Sequence, residues 1–261
     1  MAHPVSPLAK RVLPLVDLTE LAPAATLSQI EAFCEKARAL PVHPAAVCVR
    51  PEFVARAKAI LKGTAIKVAT VINFPTADVS TEQRGANVDV AAQVQETRAA
   101  LELGADEIDL VFAWKAYHDG DHDAPLQVVA AVKEACGEKA KLKLILESGG
   151  FIDMTLLRKA CDAAIDAGVD FLKTSTGFHA TGATPMAARV LCEASKAVGK
   201  MVGVKISGGV RTAEQAMQYI DIAADVLGAN WVEPGHFRIG ASKLVDALLT
   251  PATTIDKAAG Y

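Results

Sequence analysis

Residues 202–224 read VGVKISGGVRTAEQAMQYIDIAA and contain the clearest structural pattern of the chain. The first six of these residues are a short apolar run typical of a buried strand, and a Gly-Gly turn follows them. The residues after the turn repeat apolar side chains at helical spacing, namely Ala216, Tyr219, Ile220 and Ala223. A strand, a tight turn and an amphipathic helix in this order make one β-α unit of a parallel sheet.

The same alternation of apolar runs and Ala-rich helical stretches, such as 88–103, continues along the whole chain. Gly104 and Gly168 each follow a helical stretch and precede an apolar run, which is typical of a helix C-terminus. Strands are predicted at 14–18, 46–50, 66–72, 107–112, 142–147, 170–174, 202–207 and 236–240. We therefore predict a single-domain (β/α)₈ TIM barrel over residues 1–250, followed by a flexible C-terminal tail over 251–261.

Composition narrows the functional classes. The 261 residues carry 27 Lys plus Arg against 30 Asp plus Glu, a net charge of −3, so we expect no binding to nucleic acid. Apolar runs are too short to span a membrane, and no export signal is visible, so we expect no membrane association. Five widely spaced cysteines without a C-x-x-C pair indicate free thiols in a reducing cytoplasm.

Charged residues inside apolar strands are the candidates for chemistry, because catalytic groups of parallel barrels lie at the strand ends. They are Asp17, Asp109, Lys173 and Lys205. If strands six and seven are adjacent, the two lysines face one lumen, and each cation makes protonation of the other less favourable. A neutral amine is the nucleophile of a Schiff-base enzyme. Exposed strand-end lysines, with Asp109 as a simple ion-pair partner, are the alternative interpretation.

Two glycine-containing loops predict a phosphate site. Gly208-Gly209-Val210-Arg211-Thr212 follows strand seven, and Gly240-Ala241-Ser242-Lys243 follows strand eight. Loops at these two positions, with free backbone N–H groups near a helix N-terminus, commonly bind phosphate in barrels. A plain turn is the alternative. The acidic and histidine-containing segment 118–123 lacks the spacing of a zinc site, so we expect no metal there.

The quoted segments resemble the DeoC family of class I aldolases, the deoxyribose-phosphate aldolases. The most specific matches are Lys173-Thr174-Ser175-Thr176-Gly177 and Lys205-Ile206-Ser207-Gly208-Gly209-Val210-Arg211-Thr212. The resemblance implies reversible cleavage of 2-deoxy-D-ribose 5-phosphate to D-glyceraldehyde 3-phosphate and acetaldehyde, without metal or organic cofactor. The implied partners are therefore small phosphosugars and aldehydes. We also expect the protein to form a homodimer.

Residue roles follow from the same resemblance. By this likeness Lys173 forms the imine, Lys205 lowers the pKa of Lys173, and Asp109 assists proton transfer together with a water. Asp17 and Thr176 match residues that line the substrate site, and Cys48 matches a non-essential pocket cysteine. The terminal Tyr261 matches a tyrosine that assists proton exchange at the acetaldehyde-derived carbon in some relatives.

Three positions depart from the family pattern and concern phosphate binding. They are Phe178, where some relatives have a lysine, Lys243, and the pair Ile206-Ser207. We expect backbone N–H groups of Gly208–Val210 and Gly240–Ser242 to hold the phosphate, together with the Ser242 hydroxyl. Either Lys243 or Arg211 would supply a cation, and we expect Arg211 rather to brace the loop. A phosphosugar isomerase and a non-catalytic sugar-phosphate binding protein remain as rival functions.

Overall fold

The structure is a computed structural model that describes residues 5–198 and 202–249. Eight parallel strands close into a barrel in the order β1 to β8, each strand paired with its two neighbours and β8 paired with β1. The strands are β1 Val16–Glu20, β2 Ala46–Val49, β3 Lys67–Ile72, β4 Glu107–Val111, β5 Lys141–Ile145, β6 Phe171–Lys173, β7 Gly203–Ser207 and β8 Phe237–Ala241. The predicted (β/α)₈ barrel is confirmed.

Helices connect the strands and surround the barrel. They are α1 Pro7–Val12, α2 Leu27–Ala39, α3 Val54–Leu61, α4 Thr81–Gly85, α5 Val90–Glu102, α6 Trp114–His118, α7 Asp123–Cys136, α8 Met154–Asp166, α9 Pro185–Ala197, α10 Ala213–Leu227 and α11 Leu244–Leu249. The predicted helices at 88–103 and 212–224 correspond to α5 and α10. The tail at 251–261 lies outside the described residues.

The strand boundaries differ from the predicted ones by one or two residues, most clearly in β1. Leu13–Leu15 form a short 3₁₀ turn that includes Pro14, so the strand begins only at Val16. Proline cannot donate a backbone hydrogen bond to a sheet, which explains the later start. Asp17 therefore lies near the beginning of β1 rather than at its end.

Side chains alternate between the two faces of each strand. Residues such as Val47, Leu110 and Ile206 point outward and belong to the main apolar core beneath the helices. Each fully buried aliphatic side chain of this kind contributes roughly 1.5–3 kcal/mol. A smaller apolar cluster, which includes Cys48 and Ala69, fills part of the barrel interior, and charged side chains share that interior.

Glycine closes α5 and α8 at the N-terminal end of the barrel. Gly104 has φ +96° and Gly168 has φ +94°, conformations that a residue with a Cβ rarely adopts. The next residue in each case donates its N–H to a carbonyl five residues back, as in Ala105 to Ala100. The predicted helix ends are confirmed at both sites, and the chain turns directly into β4 and β6.

Candidate active site

The two strand lysines meet inside the barrel. Lys173 on β6 is in register with Lys205 on β7, and both Nζ atoms lie 2.7 Å from Oδ2 of Asp109 on β4. All three side chains are buried. The inward positions of neighbouring strands therefore bring residues that are far apart in sequence to one carboxylate oxygen.

Below this triad, towards the N-terminal ends of the strands, lie further buried charges. Among the described residues, the lumen holds four cations and three carboxylates, namely Lys143, Lys173, Lys205, Arg238, Asp17, Glu107 and Asp109. With every group ionised, the cations exceed the carboxylates by one. A buried cation without a matching anion is costly, so this cluster favours loss of one proton.

Lys173 is the cation with the fewest acidic contacts. Lys143 contacts three carboxylates, Lys205 and Arg238 contact two each, and Lys173 contacts only Asp109. Burial lowers the pKa of Lys173, and the Lys205 cation lowers it further, while Asp109 opposes both effects. The proton is therefore released most readily from Lys173, whose neutral amine is a nucleophile.

The other members of the triad stay charged. Burial acts to lower the pKa of Lys205, but the carboxylates of Asp109 and Asp17 outweigh it and raise that pKa. Burial acts to raise the pKa of Asp109, but Lys143, Lys173 and Lys205 hold it well below the usual value. The site thus combines one weakly held proton on Lys173 with a fixed cation and a fixed anion beside it.

An open pocket of about 350 Å³ lies above the triad at the C-terminal ends of the strands. Lys173 is part of its floor, and its walls include Thr19, Thr176–Phe178, Ser207–Arg211 and Gly240–Ser242. Gly208 and Gly209 have φ near +90°, and glycine adopts this conformation without strain. The pocket joins an amine nucleophile to a glycine turn of the kind that binds phosphate.

Comparison with known proteins agrees with this geometry. Residues 11–247 match the family model of DeoC/LacD family aldolases. The chain is 42% identical over 242 residues to a deoxyribose-phosphate aldolase of Agrobacterium fabrum, covering 92% of this chain and 90% of the relative. The chain belongs to the DeoC/LacD aldolase family. As an aldolase it is a carbon–carbon lyase.

Solved structures share the barrel. A deoxyribose phosphate aldolase from Aeropyrum pernix, described as tetrameric, superposes with a TM-score of 0.70 at 27% identity, covering 93% of this chain and 89% of that one. A protein described as QR15, an aldolase, gives 0.74 at 29% identity, covering 91% and 96%. Within its described residues, this aldolase has no helix that is long and apolar enough to cross a membrane.

Six of the residues named from sequence as substrate-binding line the pocket of the aldolase. They are Thr176, Gly208, Gly209, Val210, Gly240 and Ser242. Gly240 lies inside β8 rather than in the loop after it, and a Cβ there would stand 3.1 Å from Cε of Lys205. The glycine therefore leaves room for the lysine stem as well as forming part of the pocket wall.

Asp17 and Cys48 lie deeper than expected. Neither belongs to the pocket lining, and both are fully buried. Asp17 Oδ2 lies 2.7 Å from Nζ of Lys205, and its Oδ1 accepts from Arg238. Burial, followed by the nearby Asp109 carboxylate, raises the pKa of the Cys48 thiol to about 11. Asp17 thus supports the triad from below. The proposed catalytic Tyr261 lies outside the described residues.

The two candidate cations of the phosphate site, Arg211 and Lys243, are both exposed. Arg211 belongs to the pocket lining and Lys243 does not. Phe178 also lines the pocket, where its ring meets that of Phe74 edge to face at 5.3 Å. The pocket wall of the aldolase is thus aromatic at Phe178.

Sequence reasoning missed four charged residues of the site. Lys143, Glu107 and Arg238 stand inside apolar strands, so the criterion that selected Lys173 and Lys205 applies to them equally. Glu147 follows β5, is fully buried and has a left-handed backbone with φ 52°. Its signal was weaker, because a carboxylate before Ser-Gly-Gly is also typical of an exposed turn.

Proposed function

We propose that this aldolase reversibly cleaves 2-deoxy-D-ribose 5-phosphate to D-glyceraldehyde 3-phosphate and acetaldehyde through an imine on Lys173. The observation that carries the proposal is the position of Lys173, which is the least paired cation of the buried cluster and also lines the pocket. The deoxyribose-phosphate aldolase of Agrobacterium fabrum, 42% identical to this chain, supports the choice of substrate.

The reaction begins with attack of the neutral Lys173 amine on C1 of the open-chain sugar, and uptake of one proton from solvent with loss of water gives the protonated imine. Removal of the 3-hydroxyl proton then breaks the C2–C3 bond, and its electron pair forms an enamine between C1 and C2. Glyceraldehyde 3-phosphate leaves, C2 takes up a proton, and water releases acetaldehyde from Lys173. The protonated imine is the electron sink that makes the bond cleavage accessible.

Asp109 and Lys205 control proton transfer during these reaction steps. Asp109 Oδ2 lies 2.7 Å from the Nζ atoms of both lysines, so the carboxylate is within reach of the proton that Lys173 loses on forming the imine. Lys205 keeps its positive charge and so disfavours a second cation on free Lys173. Asp109 and a water in the pocket carry the proton between the 3-hydroxyl group and C2, while Lys205 keeps its charge beside them.

The phosphate end of the sugar occupies the outer part of the pocket. The Gly208–Val210 turn and the segment Gly240–Ser242 form adjacent walls, and Arg211 supplies a positive charge beside them. Backbone N–H groups and a hydroxyl bind phosphate oxygens, and the cation adds long-range attraction. This arrangement supports an anionic substrate without the lysine that some relatives have at position 178.

Borohydride trapping tests the proposed chemistry. Acetaldehyde and borohydride should together add one ethyl group to Lys173, located by tandem mass spectrometry of the digested protein. Lys173→Leu is the control and should give no adduct. An adduct on Lys205 would overturn the assignment, and no adduct on any lysine would favour an isomerase or a binding protein. Release of acetaldehyde from deoxyribose 5-phosphate tests the substrate directly.

The cellular setting is part of the same proposal. We infer a cytoplasmic enzyme, supported by five cysteines that are all free and buried. A homodimer is proposed as the assembly, although the Aeropyrum pernix relative is described as tetrameric. Light scattering at catalytic concentrations distinguishes the two.

A further inference from the structure

The segment that follows Lys173 forms one wall of the pocket and is held from two sides. On the β7 side, the Thr174 hydroxyl donates to the Ser207 carbonyl and accepts from the Ser207 N–H, each at 2.9 Å. The Ser207 hydroxyl in turn donates to the carbonyl of Ser175. These bonds fix the beginning of the segment, but they do not reach Thr176 or Phe178, which line the pocket.

Glu147 holds the rest of the segment from the β5 side. Its Oε2 accepts from the Thr176 hydroxyl at 2.5 Å and from the Thr81 hydroxyl at 3.0 Å. Its Oε1 accepts from the Thr176 backbone N–H at 3.2 Å. Glu147 is fully buried and does not belong to the pocket lining, so its carboxylate acts on the substrate only through these partners.

The direction of the hydrogen bonds is fixed along the chain of groups. The Phe178 N–H donates to the Thr176 hydroxyl oxygen at 3.0 Å, which leaves the hydroxyl hydrogen free for Glu147. Three donors thus converge on one carboxyl group. An amide at this position would present its NH₂ group to at least one donor, so that bond would be lost. Burial raises the pKa of Glu147, and the hydrogen bonds from Thr176 and Thr81 oppose that rise.

The backbone conformation of Glu147 also shows that this residue is held in place. Its φ of 52° is unusual for a residue with a side chain, and such a strained conformation persists only where the surroundings hold it. The carboxylate bonds to α4 and to the β6 loop provide that restraint. The strained residue therefore connects three separate parts of the barrel rim at the edge of the pocket.

We propose that Glu147 is a positioning residue that holds the Thr176–Phe178 wall in place for the phosphorylated half of the substrate. The inference rests on the proposed function, because that half is glyceraldehyde 3-phosphate in the reaction given above. Lys173 itself is held by β5, β7 and Asp109, so imine formation with acetaldehyde does not depend on this wall. Loss of Glu147 should weaken sugar-phosphate binding and leave the amine chemistry intact.

Glu147→Gln is the decisive variant because it keeps size and shape. We expect KM for deoxyribose 5-phosphate to rise about 10-fold, with kcat within about threefold of the parent, since one hydrogen bond to a charged group is lost. Borohydride trapping of acetaldehyde should be unchanged. Ser195→Ala is the matched control, because it removes another buried hydroxyl bond, to the Val202 carbonyl, and should leave KM unchanged.

Two variants of Thr176 test the same contact from its other side, in case Glu147→Gln does not fold. Thr176→Val removes the hydroxyl donor to Glu147 and should reproduce the rise in KM. Thr176→Ser keeps the hydroxyl, so its KM should stay close to that of the parent. The double variant of Glu147→Gln with Thr176→Val should be no worse than either single variant, because both break the same contact.

Several outcomes would overturn the inference. These are an unchanged KM in Glu147→Gln, a loss confined to kcat, a Thr176→Ser variant as impaired as Thr176→Val, or an equal rise in KM in Ser195→Ala. Parent protein that traps no acetaldehyde and cleaves no deoxyribose 5-phosphate would instead overturn the proposed function. If the parent cleaves deoxyribose 5-phosphate and the variants have the same KM as the parent, only the proposed role of Glu147 is wrong.

Discussion

The N-terminal end of the barrel and its lumen both contain lysine–aspartate pairs, but the pairs in the two regions have different roles. At the N-terminal end, Asp106 directly precedes β4 and Asp170 directly precedes β6. Each carboxylate accepts a backbone N–H from the neighbouring strand at 2.8 Å, from Val68 and Leu142 respectively. Lysines cap these carboxylates at the surface, as Lys133 does for Asp170. These pairs join adjacent β-α units.

In the lumen, the same residue types are almost fully removed from water. The side chains of Lys173 and Asp109 are 4% and 0% exposed, against 27% and 17% for Lys133 and Asp170. Water screens a pair at the surface, whereas a buried charge depends on its protein partners. A lysine therefore becomes reactive through burial with one anion too few, and pairing with a carboxylate alone does not make it so.

The largest effect should come from Lys173→Leu. This variant removes the nucleophile, so cleavage of deoxyribose 5-phosphate should fall by at least about 10³-fold. Stability should change by less than about 1 kcal/mol, because Asp109 keeps Lys143 and Lys205 as partners and the lumen loses an unmatched cation. Kinetics and thermal unfolding of one preparation check both statements. A large loss of stability would mean that Lys173 is structural, as the N-terminal pairs are.

Lys205→Leu should be the next most severe change. Without the Lys205 cation, the pKa of Lys173 should rise, and less of its amine is neutral at pH 7. Turnover should fall about 10²-fold and recover in part as the pH is raised, because the amine then loses its proton. The pH profile of kcat measures this shift. A profile parallel to that of the parent would show that burial alone sets the pKa of Lys173.

Asp170→Asn tests the other end of the barrel. Burial acts to raise the pKa of Asp170, but hydrogen bonds from Lys133 and from the Leu142 N–H outweigh it and lower that pKa. The ionised form therefore stabilises the fold above the unfolded pKa, and this contribution is lost as pH falls through the folded pKa. We expect a loss of about 1.5–3 kcal/mol at pH 7 with unchanged kcat and KM.

Urea unfolding at pH 7 and in acid checks the direction of the Asp170 effect. The difference between parent and Asp170→Asn should shrink towards low pH, where the parent carboxylate is protonated as well. A loss of activity at pH 7 without a loss of stability would contradict the division between the two ends.

The smallest effect should come from Ser242→Ala in the outer pocket. One hydrogen bond to phosphate contributes roughly 0.5–1.5 kcal/mol, so KM for deoxyribose 5-phosphate should rise about 2- to 13-fold. Cleavage of deoxyribose without phosphate should hardly change. Equal losses on the two sugars would show that Ser242 does not contact phosphate, and would move the anion away from the wall of Gly240–Ser242.

Much of the fold could be predicted from the sequence, because each β-α unit depends on the pattern of neighbouring residues. Strand-sized apolar runs, helical periodicity and glycine at Gly104 and Gly168 predict each β-α unit from a few neighbouring residues. The late start of β1 was missed because the tertiary path of the chain, together with Pro14, decides where pairing begins.

The barrel and the choice of Lys173, Lys205 and Asp109 could be predicted from the sequence alone, because charged residues in apolar strands must face a lumen or a strand end. The tertiary structure was needed to show which lysine is least paired, since that depends on Lys143 and Arg238, which come from other strands. It also placed Glu147 beneath the pocket wall. Charge balance and hydrogen-bond direction are properties of groups brought together from distant positions, so the three-dimensional arrangement alone sets them.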